Sequence, residues 1–452
     1  MTPPVPVPGA RLAVLLPHAY LGGTIRLLVN LVRHLAARWP GPLVLAVPAD
    51  HLEVIADDLA AVRRDLPGVE IRGLNWRQLE PDDARALAAG AGLEVGRWIS
   101  SRYQVPADGA ADFLDCDFWL FVSDRLEYPL VPLRPYGVFV TDHLQRYVPE
   151  IFDATAYANP ALAPWNYLRN VRNADLVVVT SRDTAADAIS FAGALGPVLR
   201  LPTTLDVDHF ERLAAAAEAE GDAAGPLLPA RPFFAWVTNP SPHKNQFRML
   251  AAIDRYCQEL DGSLDIVVMG AWTDLFDPDV SEERRLGREP QWNTPHVCRI
   301  REAVAALAPE VRRRLTFLGA GPDQAYARVL RSARFLAHNV IADNGTFSVV
   351  EAALLGRPAV SSDYPQMREI DEAFGLGLRF FDPFDEAATS RALVAGESLP
   401  PPPDSVGWRI RDLSWRAWDD SLVAAIEGVI AADAPRDRPG PRSGRHARIA
   451  CL

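Results

Sequence analysis

Apolar positions fall into short runs separated by amphipathic stretches, and this alternation repeats along most of the chain. Residues 12–16 form the first run. After a turn at 17–24, Ile25, Leu28, Leu31, Val32 and Leu35 recur at the spacing of one helical face. Runs at 43–47 and 69–74 predict the next two strands, and the Ala-rich segment 81–111 predicts a helix and a connection. Strands resume at 118–122, 138–141, 176–180 and 198–201. Strands alternating with helices of this length predict a parallel, doubly wound α/β sheet.

A second series follows, with strands predicted at 233–237, 264–269, 315–318, 333–337, 358–361 and 378–381. Between the two series, 206–231 is rich in Ala, Glu, Gly and Pro and reads as an interdomain linker. The expected organisation is therefore a first Rossmann-like domain over 1–205, the linker, and a second Rossmann-like domain over 232–400. C-terminal helices over 401–433 are expected to cross back to the first domain, and 434–452 to form a disordered tail. The polar insertion between 270 and 299 predicts a loop or short helices over the site.

A chain of 452 residues exceeds what one core usually serves, which agrees with two domains. A net charge of −12 argues against a nucleic-acid partner. Cys116, Cys257, Cys298 and Cys451 lack metal-ligand or framework spacing and read as reduced thiols, the pattern of a cytoplasmic protein. The first residues lack a signal-peptide pattern, and no apolar run reaches membrane-spanning length. Peripheral membrane contact stays compatible with the sequence.

Candidate chemistry starts from Lys244, the one lysine among 46 basic residues. It lies in a Pro-rich turn between an apolar strand and a helical pattern. A compact ammonium near backbone N–H groups at such a turn suits a phosphate cluster. Gly22 and Gly23 at the first strand-to-helix turn would let a ligand approach backbone. Asp142 and His143 follow a predicted strand, where parallel sheets keep their ligands. Asp343 and Glu351 stand eight positions apart, with Asn344-Gly345-Thr346 opening a helix between them and Thr346 or Ser348 near its start. Glu351 is expected about two turns inside that helix.

The stretch from Asp343 to Asp363 resembles the acidic-x7-acidic signature of retaining glycosyltransferases of family 4, with Asp343 and Glu351 as the two acids and Gly356-Arg357-Pro358 as the continuation. The turn Asn239–Asn245 resembles the family's phosphate loop, with Asn239 in place of an arginine, and Gly22-Gly23 is similar to its N-terminal turn. The segments 174–181 and 201–210 match its strand pair closing the first domain. The resemblance spans roughly 12–430. It implies the GT-B architecture, two Rossmann-like parallel-sheet domains facing a cleft.

It further implies hexosyl transfer from a nucleotide sugar; a metal-independent site and a GDP- or UDP-hexose, with mannose the first sugar to test, are separate expectations. The acceptor would be a hydroxyl on a glycan, a lipid-linked glycan or a natural product, lying near Gly22-Gly23. No cofactor is expected beyond the nucleoside-diphosphate sugar as co-substrate. Lys244, Asn239, Ser241, the 241–245 backbone and the helix start at Asn344, Gly345, Thr346, Phe347 and Ser348 would hold the diphosphate and donor. Glu351 would bind the ribose, and Asp343 the donor sugar, joined from the first domain by His143 or Asp142. Asp115-Cys116-Asp117, Asp206-Val207-Asp208 and Asp277-Pro278-Asp279 look like metal-clamping pairs, but Asp206-Val207-Asp208 falls in the segment closing the first domain and the other two lack the right surroundings. A nucleotide-sugar epimerase of the same fold and a non-catalytic sugar-nucleotide-binding protein are the alternatives.

Overall fold

The computed structural model describes residues 9–20, 23–152, 163–202, 204–219, 228–281, 295–344, 347–414 and 418–433. Its described residues form two units: one from 9–143, 163–202 and 418–433, the other from 144–152 and the described part of 204–414.

The first unit holds an eight-stranded sheet of β1 (Leu12–Leu15), β2 (Leu43–Pro48), β3 (Val69–Leu79), β4 (Tyr103–Ala107), β5 (Phe118–Val122), β6 (Tyr136–Val140), β7 (Leu176–Val179) and β8 (Val198–Arg200). Their spatial order is β4-β3-β2-β1-β5-β6-β7-β8. Every pair is parallel except β3 with β4. Leu12 and Val14 feed one core and Ala13 and Leu15 another. Both faces are thus covered, which is why the strands read as unbroken apolar runs. The helix Gly23–Arg38 buries the predicted face, Ile25, Leu28, Leu31, Val32 and Leu35. The helix Ser421–Asp433 returns to the same core through Leu422, Val423, Ile426 and Ile430.

Three sequence expectations need correction. The segment 81–111 supplies the predicted helix, Pro81–Gly90, but also β4, an antiparallel edge strand. Pro106 is tolerated there because an edge strand has backbone that no neighbour needs. The 206–231 segment is a helix over Val207–Ala219, and its Val207, Phe210 and Ala214 enter the second unit's core. Ala and Glu favour helix as readily as linker, and the apolar spacing decides between them. Of the C-terminal helices, Ser405–Asp412 stays in the second unit, where Val406 and Ile410 are buried. Residues 434–452 lie outside the described residues.

The second sheet contains β9 (Phe233–Val237), β10 (Asp265–Met269), β11 (Leu315–Gly319), β12 (Leu336–His338), β13 (Ala359–Ser362) and β14 (Arg379–Phe381), all parallel. Its order is β11-β10-β9-β12-β13-β14. The chain leaves β9 toward β11, then returns to place β12 on the other side of β9. Connections therefore diverge between β9 and β12, and the carboxyl ends of that pair are where such sheets open a ligand crevice. In the insertion after β10, the turn Thr273–Phe276 is buried rather than lying free, and 282–294 falls outside the described residues. Among the described residues, no helix is long and apolar enough to cross a membrane.

Candidate functional site

Lys244 sits in the connection leaving β9 and Asp343 in the connection leaving β12, the two strands flanking the reversal. The first connection is rigidly built. The Asn239 side-chain oxygen accepts from Ser241 N at 3.0 Å, and Gln246, fully buried, donates to Asn239 O at 2.6 Å and Ser241 O at 2.8 Å. Pro242–Lys244 then closes a single 3-10 turn. Asn245 follows at φ 54°, a left-handed conformation that Asn adopts more readily than most residues. Its side-chain amide bridges to Asn339 Oδ1 at 3.1 Å and Pro383 O at 2.8 Å. Ile341 N donates to His243 O at 2.8 Å, tying the two connections together.

This construction corrects one expectation. Three of the four backbone N–H groups of 241–245 are committed within the connection itself. Ser241 N is taken by Asn239, Lys244 N by Ser241 O and Asn245 N by Pro242 O, while Pro242 has none. The Lys244 side chain is the cation this turn offers. Gly345 and Thr346, at the start of the other candidate cradle, lie outside the described residues.

Lys244 Nζ donates to Asp343 Oδ2 at 2.5 Å, with the two side chains 15% and 10% exposed. His243 Nε2 stands 3.9 Å from the same oxygen, and Asn344 N donates to Asp343 Oδ1 at 2.7 Å. Burial alone would push the Asp343 carboxyl up, but Lys244, helped by His243 and His338, outweighs it and holds the carboxyl at about 2. His338, at the end of β12, is driven down to about 3 by burial and by Lys244, against the pull of Asp343. It is a neutral ring beside an ion pair. One of the three Lys244 N–H donors is committed to Asp343, which leaves donors for an anion.

Glu351 lies on the helix Phe347–Leu354, a little more than one turn after its first described residue. It is 1% exposed, and Tyr326 OH donates to its Oε2 at 2.5 Å. Ser348 is buried on the same helix and Phe347 packs half-buried against the core. The structure thus brings Asn239, Ser241, Lys244, Asp343 and Asn344 together beyond the carboxyl ends of the central strands β9 and β12. Gln246, His338, Tyr326 and Tyr364 belong to these surroundings and have no local sequence signal; His338, Tyr326 and Tyr364 meet partners more than twenty positions away.

The remaining candidate site residues belong to the first unit. Gly23 opens the helix Gly23–Arg38 and is exposed, while Gly22 is outside the described residues. His143 is buried, edge-on to Phe191 with ring centroids 5.9 Å apart. Asp142 accepts from Arg125 Nη2 at 3.1 Å. The acidic pairs have other partners: Asp115 accepts from Arg11 and Arg72, Asp206 accepts from His209 N at the start of its helix, and Asp277 accepts from Asp279 N. Among the described residues, no group of three or more His, Cys, Asp or Glu is arranged to hold a metal ion.

No family model matches the sequence, and no curated protein matches it either. Solved structures are similar in fold. An α,α-trehalose-phosphate synthase (UDP-forming) from Burkholderia vietnamiensis matches at TM-score 0.56 and 14% identity, over 94% of this chain and 100% of that one. Sucrose-phosphate synthase from Thermosynechococcus elongatus matches at 0.54 and 14%, over 94% and 100%. Anabaena Alr3699/HepE in complex with UDP and glucose matches at 0.56 and 14%, over 93% and 100%. At these identities the likeness concerns architecture: the chain has the two-unit, parallel-sheet GT-B fold that these structures share.

Proposed function

We propose that this protein is a glycosyltransferase that moves a hexose from a nucleoside-diphosphate sugar to a hydroxyl acceptor, with retention of anomeric configuration and without a metal. The observation that carries the reading is the buried Lys244–Asp343 pair at the β9/β12 reversal of the second sheet. Transfer builds negative charge on the departing diphosphate, and a preorganised cation in a water-poor site stabilises that charge strongly. Lys244 would meet the diphosphate, Asp343 the donor sugar and Glu351 the ribose. The leaving phosphate would take the proton of the attacking acceptor hydroxyl on the same face of the sugar. The UDP and glucose named with the HepE structure make UDP-glucose a donor to screen beside a GDP-hexose.

A thermal-shift panel of UDP, GDP and ADP, followed by a donor screen scoring turnover separately from binding, tests this. A nucleoside diphosphate at one hundred times its Kd should stabilise the protein by about 2.7 kcal/mol. Turnover should persist in the presence of a chelator. No shift with any nucleoside diphosphate would remove the basis of the proposal.

A further inference from the structure

Two polar groups at this site have no partner, and they complement each other. His338 is buried, and its Nδ1 lies 3.0 Å from Ser361 Oγ. Ser361 spends its one hydroxyl hydrogen on Ser362 O, so it must accept from His338, which fixes the proton on Nδ1. Nε2 is then a bare acceptor, buried and unpaired. Tyr364, two residues past the end of β13, is also buried, and its hydroxyl has no partner. The two rings pack with centroids 6.0 Å apart. A buried donor left unpaired costs about 1–3 kcal/mol, so the free chain holds a hydroxyl it does not use.

Asp343 follows β12 and Tyr364 follows β13, neighbouring parallel strands, so both lie beyond the same carboxyl ends; burial first, and then the Asp343 charge, push the Tyr364 hydroxyl well above its ordinary value. Asp343 in turn depends on Lys244. Should Lys244 turn to a diphosphate, a carboxylate about nine-tenths buried would lose its main counter-charge, which is strongly unfavourable unless another donor arrives. We propose that Tyr364 is a positioning residue for the Lys244–Asp343 pair: its hydroxyl rests unpaired beside His338 while Lys244 holds Asp343, and donates to the Asp343 carboxylate once Lys244 engages an anionic ligand. The ligand half of this inference rests on Lys244 being the diphosphate contact; the exchange of partners does not.

A thermal double-mutant cycle tests the exchange without ligand. Tyr364→Phe alone should leave the melting temperature unchanged or slightly raised, since it deletes an unused donor. In a Lys244→Met background, with Lys244→Gln as the milder neutralisation, the same change should lower it by about 2–4 °C. In Lys244→Arg, which keeps the cation, the change should again be silent. Equal effects of Tyr364→Phe in all backgrounds would overturn the proposal. Titration with UDP and GDP supplies the second arm, in which Tyr364→Phe should weaken binding at least about tenfold. Unchanged affinity of a diphosphate that binds the parent chain would also overturn it. If neither nucleotide binds the parent chain, the transferase reading fails, and the thermal cycle alone decides the role of Tyr364.

Discussion

Replacing Asp343 with asparagine should make a nucleoside diphosphate bind more tightly while sugar transfer falls. In the free chain one Lys244 donor is committed to Asp343 and the ammonium charge is offset by that carboxylate, so an incoming diphosphate must compete for the cation. The Asp343 carboxyl sits at about 2 against 3.8 for an ordinary aspartate, after burial has already pushed the other way. That gap corresponds to roughly 2 kcal/mol favouring the ionised, Lys-paired form. Both side chains are nearly buried, so solvent screening removes little of it. The substituted amide would keep a neutral side chain of the same shape and leave the ammonium free, and it would also remove a like charge facing the ligand. The expected gain in affinity is roughly five- to sixtyfold, the upper figure being the full pKa gap. Calorimetric titration with UDP, GDP and ADP at low salt and near-neutral pH measures it. A diphosphate without its sugar separates this competition from any contact between Asp343 and the donor hexose. Unchanged or weaker binding of every diphosphate by Asp343→Asn would refute the competition argument.

Three further outcomes follow from the same geometry. Lys244→Ala should cost at least tenfold in transfer, about 1.4 kcal/mol, and should destabilise the free protein by about 3–5 kcal/mol because Asp343 is left buried without its cation; a urea midpoint equal to that of the parent would contradict this. Tyr326→Phe removes the hydroxyl that donates to buried Glu351 and should cost about 1–3 kcal/mol, while an unchanged midpoint would show that other donors hold the carboxylate. His338 and His296 are lowered from 6.5 to about 3 and about 4, mainly by burial. The unfolded chain therefore takes up their protons first. Stability should be intact above pH 6.5 and fall by about 1.4 kcal/mol per pH unit per histidine as pH drops toward those values. A flat stability profile through that range would show that the two rings open to solvent.

The strand series was legible because runs such as 118–122 and 233–237 are apolar at every position, which only a doubly covered sheet accommodates. Lys244 and Asp343 could each be picked out locally, but their contact spans 99 positions and follows from the order in which strands join, which periodicity does not encode. The edge strand Tyr103–Ala107 was hidden because its buried Gln104 and its Pro106 both read as connection. The helix Val207–Ala219 was hidden by composition. The fate of the 241–245 N–H groups was hidden for a different reason: a turn that closes on itself and one that opens to a ligand share the same residue types. Glu351 was identified without Tyr326, since nothing in an amphipathic helix marks which tyrosine faces a carboxylate on the next one.

The route of the chain between its two units bears on how the protein is made. The core that contains Leu12, Leu28 and Leu45 also contains Trp418, Leu422 and Ile426. Roughly 220 residues separate the last strand of the first sheet from that closing helix, on the order of 10–40 s of synthesis at ribosomal speed. During that interval the second sheet, drawn from one continuous stretch, can complete itself while the first still exposes the groove its final helix will fill. The nascent first unit is therefore the one most in need of a chaperone, although it is translated first.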